Sequence, residues 1–547
     1  MQNRLLQIHP KDNVLVALTD LKTGEYISWE GMTFPLVNDI PAKHKFTLTS
    51  LQQGELVWMY GTVVGKAKKE IAQGAVITTE NLAHEALAYG AKDSSYTWQP
   101  PNINAWRNRT FMGYHRNDGQ VGTANIWLVI PLVFCENRNV EVIQKAFEEV
   151  LGFAKPNPYK NLVAAMADLY QRGNLDQIQQ LEPTASHFTT ERLFKNLDGI
   201  RFLTHQGGCG GTRMDSEALC ALFAGYIHNP NVAGATVLSL GCQNAQPSIL
   251  REKLAKLQGE YPKPLIVLEQ QEEGTEDQLL STAIKQTFLA MTEADRHERQ
   301  PAPLSKLTVG LECGGSDGFS GISANPAVGH ASDLLVALGA KTILSEFPEL
   351  CGVEQELINR CCDDHTAQKF SQLMQAYSKA AIAVGSGFDM NPSPGNIKDG
   401  LITDAIKSAG AAKKGGTSPI TDVLDYTEYV TTPGLNLLCT PGNDVESTTA
   451  MAGSGANVIL FTTGLGTPTG NPITPVIKIS SNTKLAQKMP DIIDLDTGPI
   501  ISGESSIAEM GEAILEQIIA VASGEIQSKA MTLGQYDFIP WKRGVSL

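Results

Sequence analysis

The sequence predicts an α/β protein: a small β-rich domain followed by α/β domains with largely parallel, Rossmann-like sheets. Three observations predict it. Residues 1–92 carry short strand-like runs at close spacing (VLVAL, KFTLTSL, ELVWMYGTVVGKA, AVITT) with turn residues between them, the pattern of a compact β fold. From Phe111 onward, apolar runs alternate with amphipathic helical segments, as βαβ units do. Four of the apolar runs deliver a cysteine at their end, three of them in Gly-rich loops, and the four thiols are expected on the same edge of one sheet. Open α/β sheets present their chemistry at the carboxyl ends of their strands.

The elements follow in order. After the β-rich domain, residues 93–110 are polar, contain Pro-Pro and read as a linker. The central α/β domain, 111–304, holds TANIWLVIPLVFC, GIRFLTHQGGCGG and GATVLSLGCQN, strand-like runs that deliver Cys135, Cys209 and Cys242. VEVIQKAFEEVLGFA, KNLVAAMADLYQRG and SEALCALFAGYIH are amphipathic helix candidates between them. A charged helix and a Pro-rich turn close this domain. The C-terminal α/β domain, 305–547, opens with a buried strand ending at Cys313 in LECGGSDGFSGISANPAVGH. It closes with the helix SIAEMGEAILEQIIAVASG, which has one apolar face.

The bulk numbers exclude several classes. With 42% hydrophobic and 18% charged residues over 547 positions, the chain is an ordinary globular protein. A formal net charge of −15 argues against nucleic acid as a partner, which needs a basic face. No apolar run reaches the ~18–20 residues of a membrane helix, and the start lacks a signal-peptide core, so a cytoplasmic location is expected. Nine cysteines, an odd number, fit reduced thiols better than a disulfide framework. Enzymes of this size are commonly two-fold dimers, and a homodimer is the expectation.

Thiolates at strand ends suit a metal, an iron–sulfur site or a reactive thiol; the alternative is that cysteine is packed as a small hydrophobe. No pair has CxxC spacing, so the Gly flanking of Cys209, Cys242 and Cys313 is the signal, with Cys135 beside them as a fourth thiol at a strand end. His205 enters a Gly-rich loop and suits general acid–base work, or is a satisfied structural histidine. Asp317, beside Ser316, is a metal ligand, a base or a turn residue. His9 and His44, with Asp12 and Lys45, offer a second metal-type donor set in the first domain. The loops NPSPGNIKDG, CTPGNDVES and FTTGLGTPTGNP are suited to polyhydroxyl or carboxylate ligands. GLGTPTG is not a dinucleotide fingerprint, since the GxGxxG spacing is only superficially met, and no GxxxxGK[ST] loop is present.

Taken together, GYHRNDGQVGTAN, the His205–Cys209 loop, LSLGCQN, LECGGSDGFSGISANPAVGHASD, NPSPGN, TPGLNLLCTPGND and FTTGLGTPTG resemble the altronate/galactarate dehydratase family. The resemblance covers essentially the whole chain, including a first domain similar to a SAF domain. TPGLNLLCTPGND, FPELCGVEQ and IPWKRGVSL are similar to the altronate branch; Gly207 departs from the tyrosine expected there. The resemblance implies a hydro-lyase that dehydrates a hexonate such as D-altronate to 2-dehydro-3-deoxy-D-gluconate, with Fe²⁺ or Mn²⁺ as cofactor. Galactarate as substrate, a [4Fe–4S] hydro-lyase, and a sugar-acid-binding protein without catalysis are the alternatives. On this reading a small sugar acid is the partner, His205 is the base or acid, and Ser316 and Asp317 line the catalytic loop. Cys135, Cys209, Cys242 and Cys313 hold or flank the metal, and the first domain brings His9 and His44 to the site as a lid. Asn325, Asn396, Asn443 and Thr467 hold sugar hydroxyls, and Arg116 or Lys398 pairs with the carboxylate.

Overall fold

Two parallel sheets organise the computed structural model, which describes residues 4–184, 191–260 and 262–547. The smaller sheet comes first. It contains β1 (Ile126–Pro131), β2 (Gly199–Phe202), β3 (Val232–Ser239) and β4 (Leu265–Glu269), in the order β2-β1-β3-β4, every pair parallel. Helices α1 (Asn137–Glu148), α2 (Arg213–His228) and α3 (Pro247–Gln258) follow β1, β2 and β3 respectively. Every residue of β1 and β3 is buried, which is why both read as unbroken apolar runs rather than alternating ones.

The larger sheet has seven strands, all parallel. They are β5 (Thr308–Cys313), β6 (Lys341–Leu344), β7 (Ile420–Leu424), β8 (Gly434–Leu438), β9 (Val458–Thr463), β10 (Val476–Ser480) and β11 (Leu495–Asp496), in the order β7-β8-β6-β5-β9-β10-β11. The helices that matter for the site are α4 (Ala324–Ala337), α5 (Asp404–Ala411) and α6 (Asp444–Gly453). The predicted last helix is present as Ile507–Ala522.

The expected β-rich first domain is built from short antiparallel pairs such as Val14–Ala17 with Lys45–Thr47 and Leu56–Met59 with Thr62–Ala67. It packs closely against the C-terminal region. Val14, Val16, Val57 and Met59 share one apolar cluster with Phe319, Ile322, Leu401, Ile402, Ala405 and Ile406 of the C-terminal region. Polar joints reinforce this contact. Lys43 Nζ pairs with Asp317 at 2.9 Å and Asp399 at 3.0 Å, and buried Lys45 Nζ donates to the Gly400 carbonyl at 2.8 Å.

Candidate active site

In an open parallel sheet, ligands bind beyond the carboxyl ends of the strands, where the strand order reverses. In the larger sheet the chain runs outward one way from β5 and then returns to add β9 on its other side. The crevice between β5 and β9 is that point. Glu312 and Cys313 end β5, and Gly314 follows. A Cβ on Gly314 would lie 1.9 Å from Asp444 Oδ2 and 2.6 Å from Phe461 Cζ, so glycine leaves the Asp444 carboxylate room to lie against the β5 loop. Glu346 and Glu349 come from the turn after β6, Lys407 from α5, and Lys414 from the turn just beyond it.

These side chains make one buried acidic centre. Lys414 Nζ lies 2.7 Å from Cys313 Sγ and 2.9 Å from Glu346 Oε2. Lys407 Nζ pairs with Glu349 Oε1 at 2.6 Å. Ser447 Oγ donates to Glu312 Oε2 at 2.6 Å. Two cations therefore face five acids: Glu312, Glu346, Glu349, Asp404 and Asp444. Burial, then repulsion from Glu346, pushes Glu312 well above the ordinary carboxylate range. Burial and the charges of Glu346 and Glu349 raise Asp444 to about 7. Burial also lowers Lys478, on neighbouring β10, to about 7; its Nζ donates to the Thr467 carbonyl at 2.8 Å.

The family resemblance implies a divalent metal, and this donor set fits one. Glu312 Oε1 and Glu346 Oε1 are buried without a hydrogen-bond partner, an expensive arrangement unless a cation completes it. Cys313, Glu346 and Glu349 offer ligand atoms within 4.8 Å of one another, and so do Glu312, Glu346 and Asp444. Carboxylate oxygens with one thiol suit Fe²⁺ or Mn²⁺.

The sequence-predicted residues fall in several places. Cys135, Cys209 and Cys242 follow β1, β2 and β3 and are exposed at the carboxyl edge of the smaller sheet, whereas Cys313 is buried in the larger one. The expectation of four thiols on one edge is thus corrected to three and one. His205 is not free for proton transfer. Its Nδ1 accepts from the Gly207 N–H at 2.9 Å and its Nε2 bonds the Pro131 carbonyl at 2.7 Å. Burial lowers it to about 4, so it is a neutral staple between two loops. Asp317 is also saturated. Oδ1 accepts from the N–H groups of Phe319 and Ser320 and from the hydroxyls of Ser320 and Ser481, and Oδ2 meets Asn482 and Lys43. It joins domains rather than acting as base or ligand. The Ser316 carbonyl accepts from Asn396 Nδ2 at 2.7 Å, while the Asn396 side-chain oxygen caps its own helix.

Asn325 is spent on Gly410 and Thr462. Arg116 donates to the carbonyls of Pro230 and Ala124 and to Asn125, at the amino edge of the smaller sheet, where no substrate at the carboxyl edge is within reach. Lys398 is exposed. His9 and His44 each make a local contact through Nδ1. His9 Nδ1 accepts from the Lys11 N–H, His44 Nδ1 bonds the Ala42 carbonyl, and among the described residues neither belongs to a close donor group. Thr467 and Asn443 lie next in chain or space to the acidic centre's loops: Thr467 Oγ1 is 2.8 Å from a Cβ built on Gly315, two residues past Cys313, and exposed Asn443 caps α6 directly before Asp444. Sequence reasoning missed Glu312, Glu346, Glu349, Asp444, Lys407, Lys414 and Lys478. The available signal was acidic residues in SEFPELCG and PGND directly after apolar strands.

Comparison with known proteins gives the same assignment along the chain. Residues 3–85 match the family model described as the altronate/galactarate dehydratase SAF domain, residues 113–295 match the D-galactarate dehydratase/altronate hydrolase second domain, and residues 304–546 match the D-galactarate/altronate dehydratase C-terminal domain. The altronate dehydratase of Escherichia coli K12 is 33% identical over 523 residues, 95% of each chain. The chain belongs to the altronate/galactarate dehydratase family. Other members of the family are similarly near. The altronate dehydratase of Bacillus subtilis 168 is 32% identical over 95% of both chains, and the galactarate dehydratase (L-threo-forming) of E. coli K12 is 30% identical over 95% of this chain and 93% of its own. No described helix is long and apolar enough to cross a membrane.

Proposed function

We propose that this chain is a sugar-acid hydro-lyase that dehydrates a hexonate, with D-altronate as the first candidate, to a 2-keto-3-deoxy acid. The observation that carries the reading is the buried acidic centre at the β5/β9 switch point, with two carboxylate oxygens left unpaired. Its family membership supports the reaction class.

Such a dehydration removes the weakly acidic proton α to a carboxylate and expels the hydroxyl at the next carbon. Glu312, Glu346 and Asp444 are the residues that would hold Fe²⁺ or Mn²⁺, with Cys313 and Glu349 behind them. The ion supplies positive charge beside the substrate carboxylate. Lys407 and Lys414 hold the acids in place and offset part of their charge. Lys478 Nζ, lowered to about 7, takes the C2 proton, as a buried lysine near neutrality can. Thr467 and Asn443 orient sugar hydroxyls at the mouth. The enol released by loss of the C3 hydroxyl then ketonises.

The test is formation of 2-keto-3-deoxy acid over a panel of hexonates and hexarates, with metal-stripped protein and added Fe²⁺, Mn²⁺, Mg²⁺ or Zn²⁺. Turnover of altronate restored by Fe²⁺ or Mn²⁺ is the expected result. Lys478→Met lowers kcat by roughly 10²–10⁴-fold, the range for one acid–base group. No turnover of any sugar acid under these conditions removes the reading, and an unchanged kcat in Lys478→Met removes that residue's role.

A further inference from the structure

We propose that Cys135, Cys209 and Cys242 form a second metal site, distinct from the acidic centre, which holds an iron–sulfur cluster through three thiolates and leaves one iron open.

Topology brings the three together. β1 is flanked by β2 on one side and β3 on the other, so the smaller sheet reverses its order between β1 and β3. Each cysteine sits in the loop after one of these strands. The loops are also tied to one another. The Phe134 N–H donates to the Gly207 carbonyl at 3.1 Å, and the N–H groups of Asn244 and Ala245 both donate to the Gly208 carbonyl at 3.0 Å. Asn137 Nδ2 donates to the His205 carbonyl at 2.8 Å. Each cysteine therefore lies within two residues of one shared backbone knot.

Glycines make the knot possible. Gly208, Gly210 and Gly241 have φ of 95°, 67° and 120°, a region that L-residues avoid. A Cβ on Gly208 would lie 2.1 Å from the Leu132 carbonyl oxygen and 2.7 Å from the Val133 Cα, so the loops after β1 and β2 meet backbone to backbone. The loops are thus pressed together more closely than side chains allow, yet all three thiols remain exposed and unpaired. Packing does not explain this, since a cysteine used as a small hydrophobe is buried.

The surroundings suit an anionic, sulfur-rich group. α1, α2 and α3 each begin within a few residues of one of the cysteines, and helix amino ends favour negative charge. Soft thiolates select iron–sulfur clusters, copper or zinc. Spacing discriminates among these. Among the described residues, donor groups within 4.8 Å of one another occur in the acidic centre and do not include this trio. A single tetrahedral ion with bonds of ~2.3 Å would draw its thiolates to roughly 3.8 Å, whereas at least one separation in this trio exceeds 4.8 Å; a sulfide-bridged polynuclear group is the candidate that does not need all its protein ligands on one ion.

The edge that carries the trio is joined to the edge that carries the acidic centre. Arg543 spans the two edges: its N–H donates to Asp215 Oδ1 at 2.9 Å, at the start of α2, while its guanidinium pairs with Asp425 at the end of β7. Downstream, the Leu547 N–H donates to the Gly210 carbonyl beside Cys209 at 2.9 Å. The carboxyl edges of both sheets therefore meet at this tail. Three protein ligands leave a position for an oxygen donor, as catalytic metal sites do, and a hydroxy-acid oxygen is the chemistry that fits. Only this last step rests on the proposed function; cluster binding does not.

The experiment is anaerobic reconstitution of the full chain with ferrous iron and sulfide, followed by desalting and analysis of iron, acid-labile sulfide and visible absorbance. About four irons and four sulfides per chain are expected, with a brown colour. In the triple variant Cys135→Ser/Cys209→Ser/Cys242→Ser, sulfide-bound iron falls at least tenfold, while Cys362→Ser, at another exposed thiol, keeps it. Circular dichroism checks that the triple variant folds, and each single variant is measured if it does not. Iron without labile sulfide, or a cluster retained in the serine variants, overturns the proposal. A cluster in a protein with no dehydratase activity leaves it standing and removes the functional reading instead.

Discussion

Glu346 shows most directly how one residue is committed to chemistry. Its backbone is left-handed, with φ of 63°, a conformation that costs a non-glycine residue roughly 1–2 kcal/mol. The strain aims a carboxylate into a centre already crowded with acids. Glu346→Gln therefore abolishes the rise in Tm that added Fe²⁺ or Mn²⁺ gives the metal-stripped wild type, since a ligand that binds only the folded state stabilises it; thermal unfolding with and without metal measures this. His205 behaves oppositely, because burial holds it neutral. Its pKa is about 4 when folded against 6.5 in the open chain, so the unfolded state binds more protons between these values. Stability is whole above pH 6.5 and is lost as pH falls towards 4, by roughly 3 kcal/mol for this group. Urea unfolding at pH 7 and pH 4.5 shows a smaller pH dependence for His205→Gln than for the wild type.

At the scale of elements, the sequence was most legible where burial is continuous. IWLVIP and VAGATVLS are strands because parallel strands covered on both faces need apolar residues throughout, and their amphipathic helices follow in the expected places. The loops were legible as loops but not as partners. Nothing in LECGG states that β5 sits in a different sheet from β1, because strand order depends on crossovers rather than on local pattern. Hence Cys313 was grouped with three thiols it does not join. Asn325 reads as a substrate contact and Asp317 as a base or metal ligand, yet Asn325 is taken up by the Gly410 carbonyl and the Thr462 hydroxyl, and Asp317 by its own turn together with Ser481, Asn482 and Lys43. Acids such as Glu346 and Glu349 attracted no notice because isolated glutamates in a turn are usually solvated. The β5–α6 junction gives an element-level prediction. Gly314→Ala puts a methyl group 1.9 Å from Asp444 Oδ2 and turns that carboxylate out of the acidic centre, so kcat falls by about 10²-fold or more, as a misplacement near 1 Å can cause. Far-ultraviolet circular dichroism stays unchanged.

At the scale of the molecule, the first domain and the C-terminal sheet share one apolar cluster and one ion-pair joint. Lys43→Met leaves buried Asp317 short of its cation, and removing one partner of such a pair costs roughly 3 kcal/mol. Hydrogen exchange then rises at Gly318 and Gly400, on the two loops that Lys43 fastens, whereas a surface joint would leave both unchanged. The shared cluster also bears on how the chain can be divided. Borders that look clean along the sequence are not seams along which this protein comes apart. A fragment starting near residue 93 would expose Phe319, Ile322, Leu401, Ile402 and Ile406 to water, and would be recovered as aggregate rather than as a minimal catalyst.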